Sequence, residues 1–198
     1  MTNIIMASHP KSAYLEIILG PMYSGKTSRL VEIYKQCKFC DIPVVVINHS
    51  IDTRYDSGEI EYMLSTHDKV KIPCIKTNNL LDLYADNSSL NDAISLSDVI
   101  LINEGQFFSD LVAFVECMLT ENKKIYVCGL DGDFKRNKFG QILDLISLCD
   151  KVTKLTSLCS LCKNGIPGIF SKRLTQEKEQ TVVGSDIYIP VCRNCYDK

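Results

Sequence analysis

Residues 20–27 read GPMYSGKT, a stretch in which two glycines, a lysine and a threonine stand at fixed places. The spacing is G-x-x-x-x-G-K-[ST], where backbone N–H groups can surround a phosphate chain because glycines leave the approach open. Lys26 would bring a full positive charge to the outer phosphates, and the Thr27 hydroxyl could ligate Mg²⁺. The pattern predicts a site for a nucleoside triphosphate, with a chance glycine turn as the alternative reading.

A carboxylate that could move a proton follows the apolar run DVILI, residues 98–102. Glu104 stands directly after this run, and the carboxyl ends of strands are where open α/β sheets bind their ligands. A carboxylate there can accept a proton from a hydroxyl or from water. Glutamate is also favoured in the first turn of a helix, so a capping role is the alternative.

Two further groups could serve the same site. Asn103 offers a carbonyl oxygen beside Glu104 but carries no charge. A metal ion would therefore be held more by the phosphates and Thr27, through water, or by another acid. Asp52 and Arg54, in the stretch DTRY after the run VVVI, could order Mg²⁺ and phosphate charge. A solvated polar loop explains that stretch equally well.

Four of the ten cysteines form two C-x₂-C pairs near the end of the sequence: Cys159, Cys162, Cys192 and Cys195. Two such pairs can complete a tetrahedral Zn²⁺ site, and four sulfur ligands leave no open position, so the zinc would be structural. Disulfides or inert thiols are the alternatives. The other six cysteines are predicted to be buried reduced thiols, and the pair in CKFC (37–40) is interpreted as packing.

The elements that would position these groups are indicated by the apolar pattern. Continuous apolar runs alternate with segments of helical periodicity, and this order predicts an α/β fold with a mostly parallel sheet of the P-loop NTPase type. The predicted strands are LEIIL (15–19), VVVI (44–47), VKIPCI (70–75), DVILI (98–102), KIYVCGL (124–130) and KVTKL (151–155). The predicted helices follow residues 27, 110 and 141.

The composition of the sequence changes near residue 156, where cysteine pairs and charged stretches replace the alternation of predicted strands and helices. We predict a flexible N-terminal tail (1–14), a P-loop α/β nucleotide-binding domain (15–155) and a small C-terminal zinc-binding domain (156–198). The net charge of −2 argues mildly against a nucleic-acid partner. With no apolar run of about 18 residues and no secretory signal, the sequence predicts a cytoplasmic protein with no membrane partner.

Taken together, these motifs resemble the cellular and poxvirus-type thymidine kinases from residue 15 onward. The matching stretches are GPMYSGKT, DTRY, THD, EGQFF, LDGDFKRNKFG, KLT with the first cysteine pair, KRLTQEKE and VCRNCY. The resemblance implies transfer of the γ-phosphate of ATP, with Mg²⁺, to the 5′-hydroxyl of thymidine, with deoxyuridine-type nucleosides as further acceptors. It also implies feedback by thymidine triphosphate and a homotetramer.

The resemblance carries roles onto individual positions, with Glu104 as the general base and Arg136 as a basic residue near the phosphates. Residues implied to bind ATP are Gly20, Pro21, Met22, Tyr23, Ser24, Gly25, Lys26, Thr27, Asp52, Thr53, Arg54, Asn103, Gly105 and Gln106. Residues implied to bind the nucleoside are Met22, Phe107, Leu130, Phe134, Phe139, Ser171 and Tyr188. In this family a loop of the zinc domain wraps the nucleoside and reads the base through its backbone.

Two positions depart from the family pattern. Asn103 stands where an aspartate is usual, and we expect an aspartate there to keep or improve activity. The pair before Lys172 is Phe170-Ser171 in place of Tyr-Thr, and serine can still donate a hydrogen bond. Two other functions stay open: a P-loop ATPase whose zinc ribbon grips nucleic acid or a protein partner, and a nucleotide sensor without catalysis.

Overall fold

The computed structural model describes residues 12–52, 62–66, 68–85, 89–177, 179–182 and 187–198. The predicted flexible tail falls mostly outside the described residues, and Thr53 and Arg54 fall wholly outside them. Among the helices that the structure does describe, none combines the length and the apolar character needed to cross a membrane.

Strands and helices alternate over most of the chain. The strands are β1 (Tyr14–Leu19), β2 (Val44–His49), β3 (Met63–Ser65), β4 (Lys71–Pro73), β5 (Ile75–Thr77), β6 (Val99–Ile102), β7 (Lys124–Gly129), β8 (Lys151–Lys154), β9 (Ser157–Leu158), β10 (Pro167–Gly168), β11 (Phe170–Arg173) and β12 (Tyr188–Val191). The α-helices are α1 (Lys26–Phe39), α2 (Asp82–Ala85), α3 (Ser89–Ser95), α4 (Leu111–Thr120) and α5 (Arg193–Tyr196). Short 3₁₀ helices occupy Gly105–Phe107 and Ile142–Ser147.

A parallel sheet forms the centre of the molecule. Within the described residues it has six strands in the order β5-β2-β6-β7-β1-β8, and every neighbouring pair is parallel. Crossover segments that include helices connect the strands and cover both faces, which is why the strand sequences are continuously apolar. The α/β fold with a mostly parallel sheet is therefore confirmed.

Residues of β1 show how the two faces are filled. Leu15 and Ile17 pack in one apolar cluster with Phe114 of α4, and Ile18 packs in the opposite cluster with Leu30 of α1. All five side chains are fully buried. Burial of such a side chain contributes about 1.5–3 kcal/mol. This burial on both faces stabilises the sheet. Because β1 and β6 both pair parallel with β7, their carboxyl ends lie at the same edge.

The run VKIPCI, predicted as one strand, is divided between two sheets. Lys71–Pro73 forms β4 and pairs antiparallel with β3, whereas Ile75–Thr77 forms β5 at the edge of the parallel sheet. Pro73 lacks an N–H group and cannot continue a ladder, and the N–H of Cys74 instead donates to Tyr62 O at 3.0 Å.

The C-terminal part forms a small unit of its own local elements. The strands β9 and β10 pair antiparallel, as do β11 and β12, and α5 follows directly after β12. Three cysteines and Val191 make its buried apolar cluster. β8 ends at Lys154 and β9 starts at Ser157, but the domain boundary near residue 156 stays a prediction.

Candidate active site

The turn between β1 and α1 is shaped by its two glycines. A Cβ on Gly20 would lie 2.6 Å from Ser24 Oγ and 2.7 Å from Leu155 O, so a side chain does not fit there. Gly25 has open space around it but a φ of +86°, in the left-handed region that favours glycine. This conformation lets α1 begin at Lys26 with its N–H groups directed at the turn.

Two side chains in this turn have polar groups suited to an anion. The ammonium group of Lys26 donates to Pro21 O at 2.8 Å, which holds it across the turn. Ser24 Oγ is buried and has no hydrogen-bond partner among the described residues. A buried hydroxyl without a partner is costly unless a ligand satisfies it. The turn therefore fits the phosphate chain that its sequence predicted.

A chain of polar side chains runs beneath the turn. The Thr27 hydroxyl donates to Asn103 Oδ1 at 3.4 Å, Asn103 Nδ2 donates to Asn48 Oδ1 at 2.9 Å, and Asn48 Nδ2 donates to Asp52 Oδ2 at 3.1 Å. Both asparagines are about 1% exposed, while Thr27 and Asp52 lie on the cavity wall. Hydroxyl and carboxylate oxygens are the ligands that Mg²⁺ prefers, so Thr27 and Asp52 fit this metal. Sequence analysis did not find Asn48.

Glu104 follows β6 with φ +54° and ψ +41°, a left-handed conformation that is uncommon for a residue with a side chain. Gln106 Nε2 donates to Glu104 Oε2 at 2.7 Å, and Gln106 Oε1 accepts the N–H of Leu130 at 2.9 Å. Backbone strain of this kind persists where the surrounding structure imposes it. The carboxylate is held half-buried at the end of β6.

His49, at the end of β2, lies close enough to Glu104 to sense its charge, and sequence analysis did not single it out. Its ring packs against Phe108 with centroids 4.7 Å apart, and its Nδ1 accepts the N–H of Ile51 at 3.1 Å. Burial lowers the pKa of His49, against an opposing effect of the Glu104 and Asp110 charges. The lowered pKa favours the neutral form of the imidazole.

Aromatic and apolar side chains line the far end of the same cavity. Phe107 and Phe139 meet edge to face with centroids 5.5 Å apart, and Phe134 and Leu130 lie on the wall with them. Flat aromatic surfaces of this kind suit a flat ligand such as a nucleobase.

Several contacts join the small C-terminal unit to this end of the cavity. Ser171 Oγ accepts the N–H of Met22 at 2.9 Å, and Gln180 Nε2 donates to Asp133 Oδ2 at 2.9 Å. Tyr196 Oη donates to Phe134 O at 2.5 Å. Because these bonds reach both the turn of residues 20–27 and the loop after β7, the C-terminal unit forms one wall of the cavity.

The four C-terminal cysteines come together. Their sulfur atoms lie within 4.8 Å of one another, and Cys162 Sγ is 3.7 Å from Cys192 Sγ and 3.2 Å from Cys195 Sγ. Four sulfurs around zinc at about 2.3 Å would lie about 3.8 Å apart, so the cluster fits a closed zinc site. Of the other six cysteines, predicted to be buried, Cys37 and Cys128 are buried, but the prediction is wrong for Cys40, which is exposed at the end of α1. Among the described residues the stretch CKFC adds no ligand to the cluster.

Most of the sequence-predicted residues lie on the wall of this one cavity. They are Met22, Tyr23, Ser24, Gly25, Lys26, Thr27, Asp52, Glu104, Gln106, Phe107, Leu130, Phe134, Phe139, Ser171 and Tyr188. Four others lie behind the wall: Gly20, Pro21, Asn103 and Gly105. Arg136, expected near the phosphates, instead stacks over the Tyr196 ring at 4.2 Å and pairs with Asp197 at 3.5 Å.

Seven residues on the wall were not predicted: Ser28, Ile51, Gly132, Asp133, Gln180, Thr181 and Val182. The first four neighbour predicted residues in the sequence and could have been found by proximity. Nothing in the local pattern marks Gln180, Thr181 and Val182, because their place depends on how the chain returns from β11 to β12.

Comparison with known proteins gives one consistent result. A family model described as Thymidine kinase matches residues 13–196. The chain is 39% identical over 189 residues to "Thymidine kinase" of Yaba monkey tumor virus (strain VR587), which covers 95% of this chain and 97% of that protein. It is 40% identical over 184 residues to "Thymidine kinase" of Variola virus (isolate Human/India/Ind3/1967), covering 92% and 96%. It is 36% identical over 184 residues to "Thymidine kinase 1" of Dictyostelium discoideum, covering 92% and 77%.

Proposed function

The chain belongs to the thymidine kinase family of nucleoside-phosphorylating enzymes, and we propose that it transfers the γ-phosphate of ATP to the 5′-hydroxyl of thymidine. One observation carries the proposal: Lys26 and Glu104 lie on the wall of the same cavity, together with Phe107 and Phe134. A phosphate-binding turn, a proton acceptor and an aromatic surface are the three parts that the reaction needs in one place.

The turn of residues 20–27 is the proposed site for the triphosphate of ATP. Its amides and the Lys26 ammonium would neutralise charge on the transferred group, which is the main demand of phosphoryl transfer. Thr27 and Asp52 would hold Mg²⁺, which when bound would neutralise phosphate charge. Asn103 would not contact the metal itself but would orient the Thr27 hydroxyl through their hydrogen bond.

Glu104 is the proposed general base. Glu104 lines the same cavity as Lys26 and Phe107, so the 5′-hydroxyl of a nucleoside bound there would come within its reach. Gln106 donates to one carboxylate oxygen and so fixes the orientation of the group. A correctly placed base of this kind contributes typically about 10²–10⁴-fold to a rate.

The nucleoside would occupy the aromatic end. Phe107, Phe134 and Phe139 would pack against the base, with Leu130 and Met22 shaping the rest of the wall. Ser171 and Tyr188, from β11 and β12, would cover the nucleoside from the other side. Covering the site excludes water, which would otherwise hydrolyse the triphosphate.

The four cysteines would hold a structural zinc ion. Cys159 and Cys162 stand before the strands that cover the cavity, and Cys192 and Cys195 stand after them. A zinc ion joining both pairs would tie the two ends of this unit together, which stabilises a small unit with little apolar core. Thymidine triphosphate feedback, the homotetramer, the cytoplasmic location and the absence of a nucleic-acid partner stay predictions.

Phosphate transfer from γ-labelled ATP tests the proposal directly. The purified chain with Mg²⁺ would be offered thymidine, deoxyuridine, deoxycytidine, deoxyadenosine and deoxyguanosine in separate reactions. We expect label in thymidine monophosphate first, deoxyuridine monophosphate second, and little in the others. Label released only as inorganic phosphate, with the release stimulated by DNA, would instead favour a P-loop ATPase.

A further inference from the structure

Between β11 and β12 the structure describes residues 174–177 and 179–182, called here the covering segment, part of which lines the cavity. Its base is closed where the N–H of Leu174 donates to Ile187 O at 2.8 Å. None of these described residues belongs to a helix or a strand, yet Gln180, Thr181 and Val182 lie on the cavity wall. A segment outside a ladder needs other partners for its backbone groups.

Arg173, the last residue of β11, supplies those partners. Its Nη1 donates to Glu177 O at 2.9 Å and to Glu179 O at 2.6 Å, and its Nη2 donates to Gln180 O at 3.1 Å. Three carbonyls of one segment thus converge on one guanidinium. The fixed fork of N–H donors makes arginine able to hold several acceptors in one arrangement.

The same guanidinium also contacts two other parts of the wall. Its Nε and Nη2 donate to Tyr188 Oη at 3.1 and 2.5 Å, and Tyr188 Oη in turn donates to Val182 O at 3.2 Å. Its Cζ lies 3.7 Å from the centre of the Phe134 ring. Arg173 is 7% exposed and does not itself line the cavity. It therefore acts through Gln180, Tyr188 and Phe134.

We propose that Arg173 is the positioning residue that fixes the covering segment against Tyr188 and Phe134, and so sets the nucleoside end of the cavity. The proposal rests on the proposed function, because the ligand at that end is taken to be a nucleoside. Among the residues that the structure describes, the hydrogen bonds and ring contacts of Arg173 go to the covering segment, Tyr188 and Phe134 and not to the turn of residues 20–27. Its loss should therefore weaken the binding of nucleoside and leave the binding of ATP nearly unchanged.

Steady-state kinetics of Arg173→Ala test the proposal. We expect KM for thymidine to rise by at least about 10-fold, since misplacing a positioned group by about 1 Å can cost up to about 10²-fold, while KM for ATP changes by less than about 2-fold. Arg193→Ala is the matched control, because Arg193 also stacks on an aromatic ring of the C-terminal unit but lies on the exposed surface. It should leave both constants unchanged.

Arg173→Lys is the second variant, and it remains informative if the alanine variant does not fold. Lysine keeps the charge but has one nitrogen, which cannot reach all the acceptors while lying over Phe134. We expect an intermediate rise in KM for thymidine, and faster amide hydrogen exchange at residues 179–182 than in the unmodified protein. An unchanged KM for thymidine, or equal losses for thymidine and ATP, would contradict the proposal.

The outcome for the unmodified protein separates this inference from the proposed function. If the unmodified chain does not phosphorylate thymidine, the proposed function fails. If it does and Arg173→Lys matches it in both KM values and in hydrogen exchange, only the role of Arg173 fails.

Discussion

The end of the cavity proposed to bind phosphate (the phosphate end) is made by one continuous turn, residues 20–27, whereas the end proposed to bind the nucleoside (the nucleoside end) is assembled from segments far apart in the sequence. At the phosphate end the groups are backbone amides and a helix start, held by the central sheet. At the nucleoside end the loop after β7 and the covering segment meet through single side-chain contacts such as Gln180 to Asp133. Binding at the phosphate end relies on backbone held by the central sheet. Binding at the nucleoside end relies on side-chain contacts between distant segments.

This difference predicts that the two ends can be damaged separately. Changes in the C-terminal unit should weaken nucleoside binding, changes in the turn should weaken ATP binding, and a change at Glu104 should stop the reaction while both ligands still bind.

Glu104→Gln should lower kcat by about 10²–10⁴-fold, because the amide cannot accept the proton of the 5′-hydroxyl. The variant keeps the size of the side chain, so dissociation constants for ATP and thymidine, measured by calorimetry, should change little. Glu32→Gln, on the exposed face of α1, is the control. Turnover near that of the control would remove Glu104 from the role of base.

Cys159→Ser, or zinc removal by a chelator, should weaken thymidine binding by about 10-fold or more and ATP binding much less. The reason is that the cluster holds the unit whose strands β11 and β12 cover the nucleoside end. Mutation of the groups around a metal site typically costs about 10–100-fold in metal affinity or activity. Binding constants and zinc content are the measurements. Cys40→Ser, an exposed cysteine outside the cluster, should have no effect. Equal weakening of both ligands would indicate unfolding of the whole chain.

Gly25→Ala should weaken ATP binding by about 10-fold while thymidine binding stays nearly constant. A side chain in the left-handed conformation costs about 1–2 kcal/mol, so the turn would relax away from the geometry that surrounds the phosphates. Gly165→Ala is a close control: its φ is +84°, it too has open space around it, and it lies away from the cavity wall. If both variants bind ATP equally well, the turn does not depend on its glycine.

Asn103→Asp now carries a different expectation from the one that the sequence alone supported. Asn103 Nδ2 donates to Asn48 Oδ1, and Asn48 must direct its own N–H₂ at the Asp52 carboxylate. An ionised aspartate would place two acceptors together in a buried position, at a cost of about 1–3 kcal/mol. The melting temperature and ATP affinity should both fall, whereas Asn164→Asp, at an exposed position, should change neither. Unaltered stability would restore the earlier expectation.

Sequence reasoning located the residues of the cavity and of the cysteine cluster best where a short motif marks them. The turn of residues 20–27, Glu104 after an apolar run and the two cysteine pairs could be found because each motif is short. It performed less well where a residue acts through a distant partner. Arg136 was expected near the phosphates but stacks on Tyr196, and Arg173 was not singled out although it donates to three carbonyls of the covering segment.

The sequence by itself determined the α/β fold with a mostly parallel sheet, the glycine turn between β1 and α1, and the metal-binding potential of four cysteines. The reason is that backbone preference, apolar periodicity and ligand spacing are local properties. Only the tertiary structure decided which side chains share a wall, since parallel strands bring Lys26 and Glu104 to one edge and the chain between β11 and β12 places Gln180 on the same cavity wall. These contacts depend on packing and hydrogen bonds between distant segments, which a local sequence pattern does not specify.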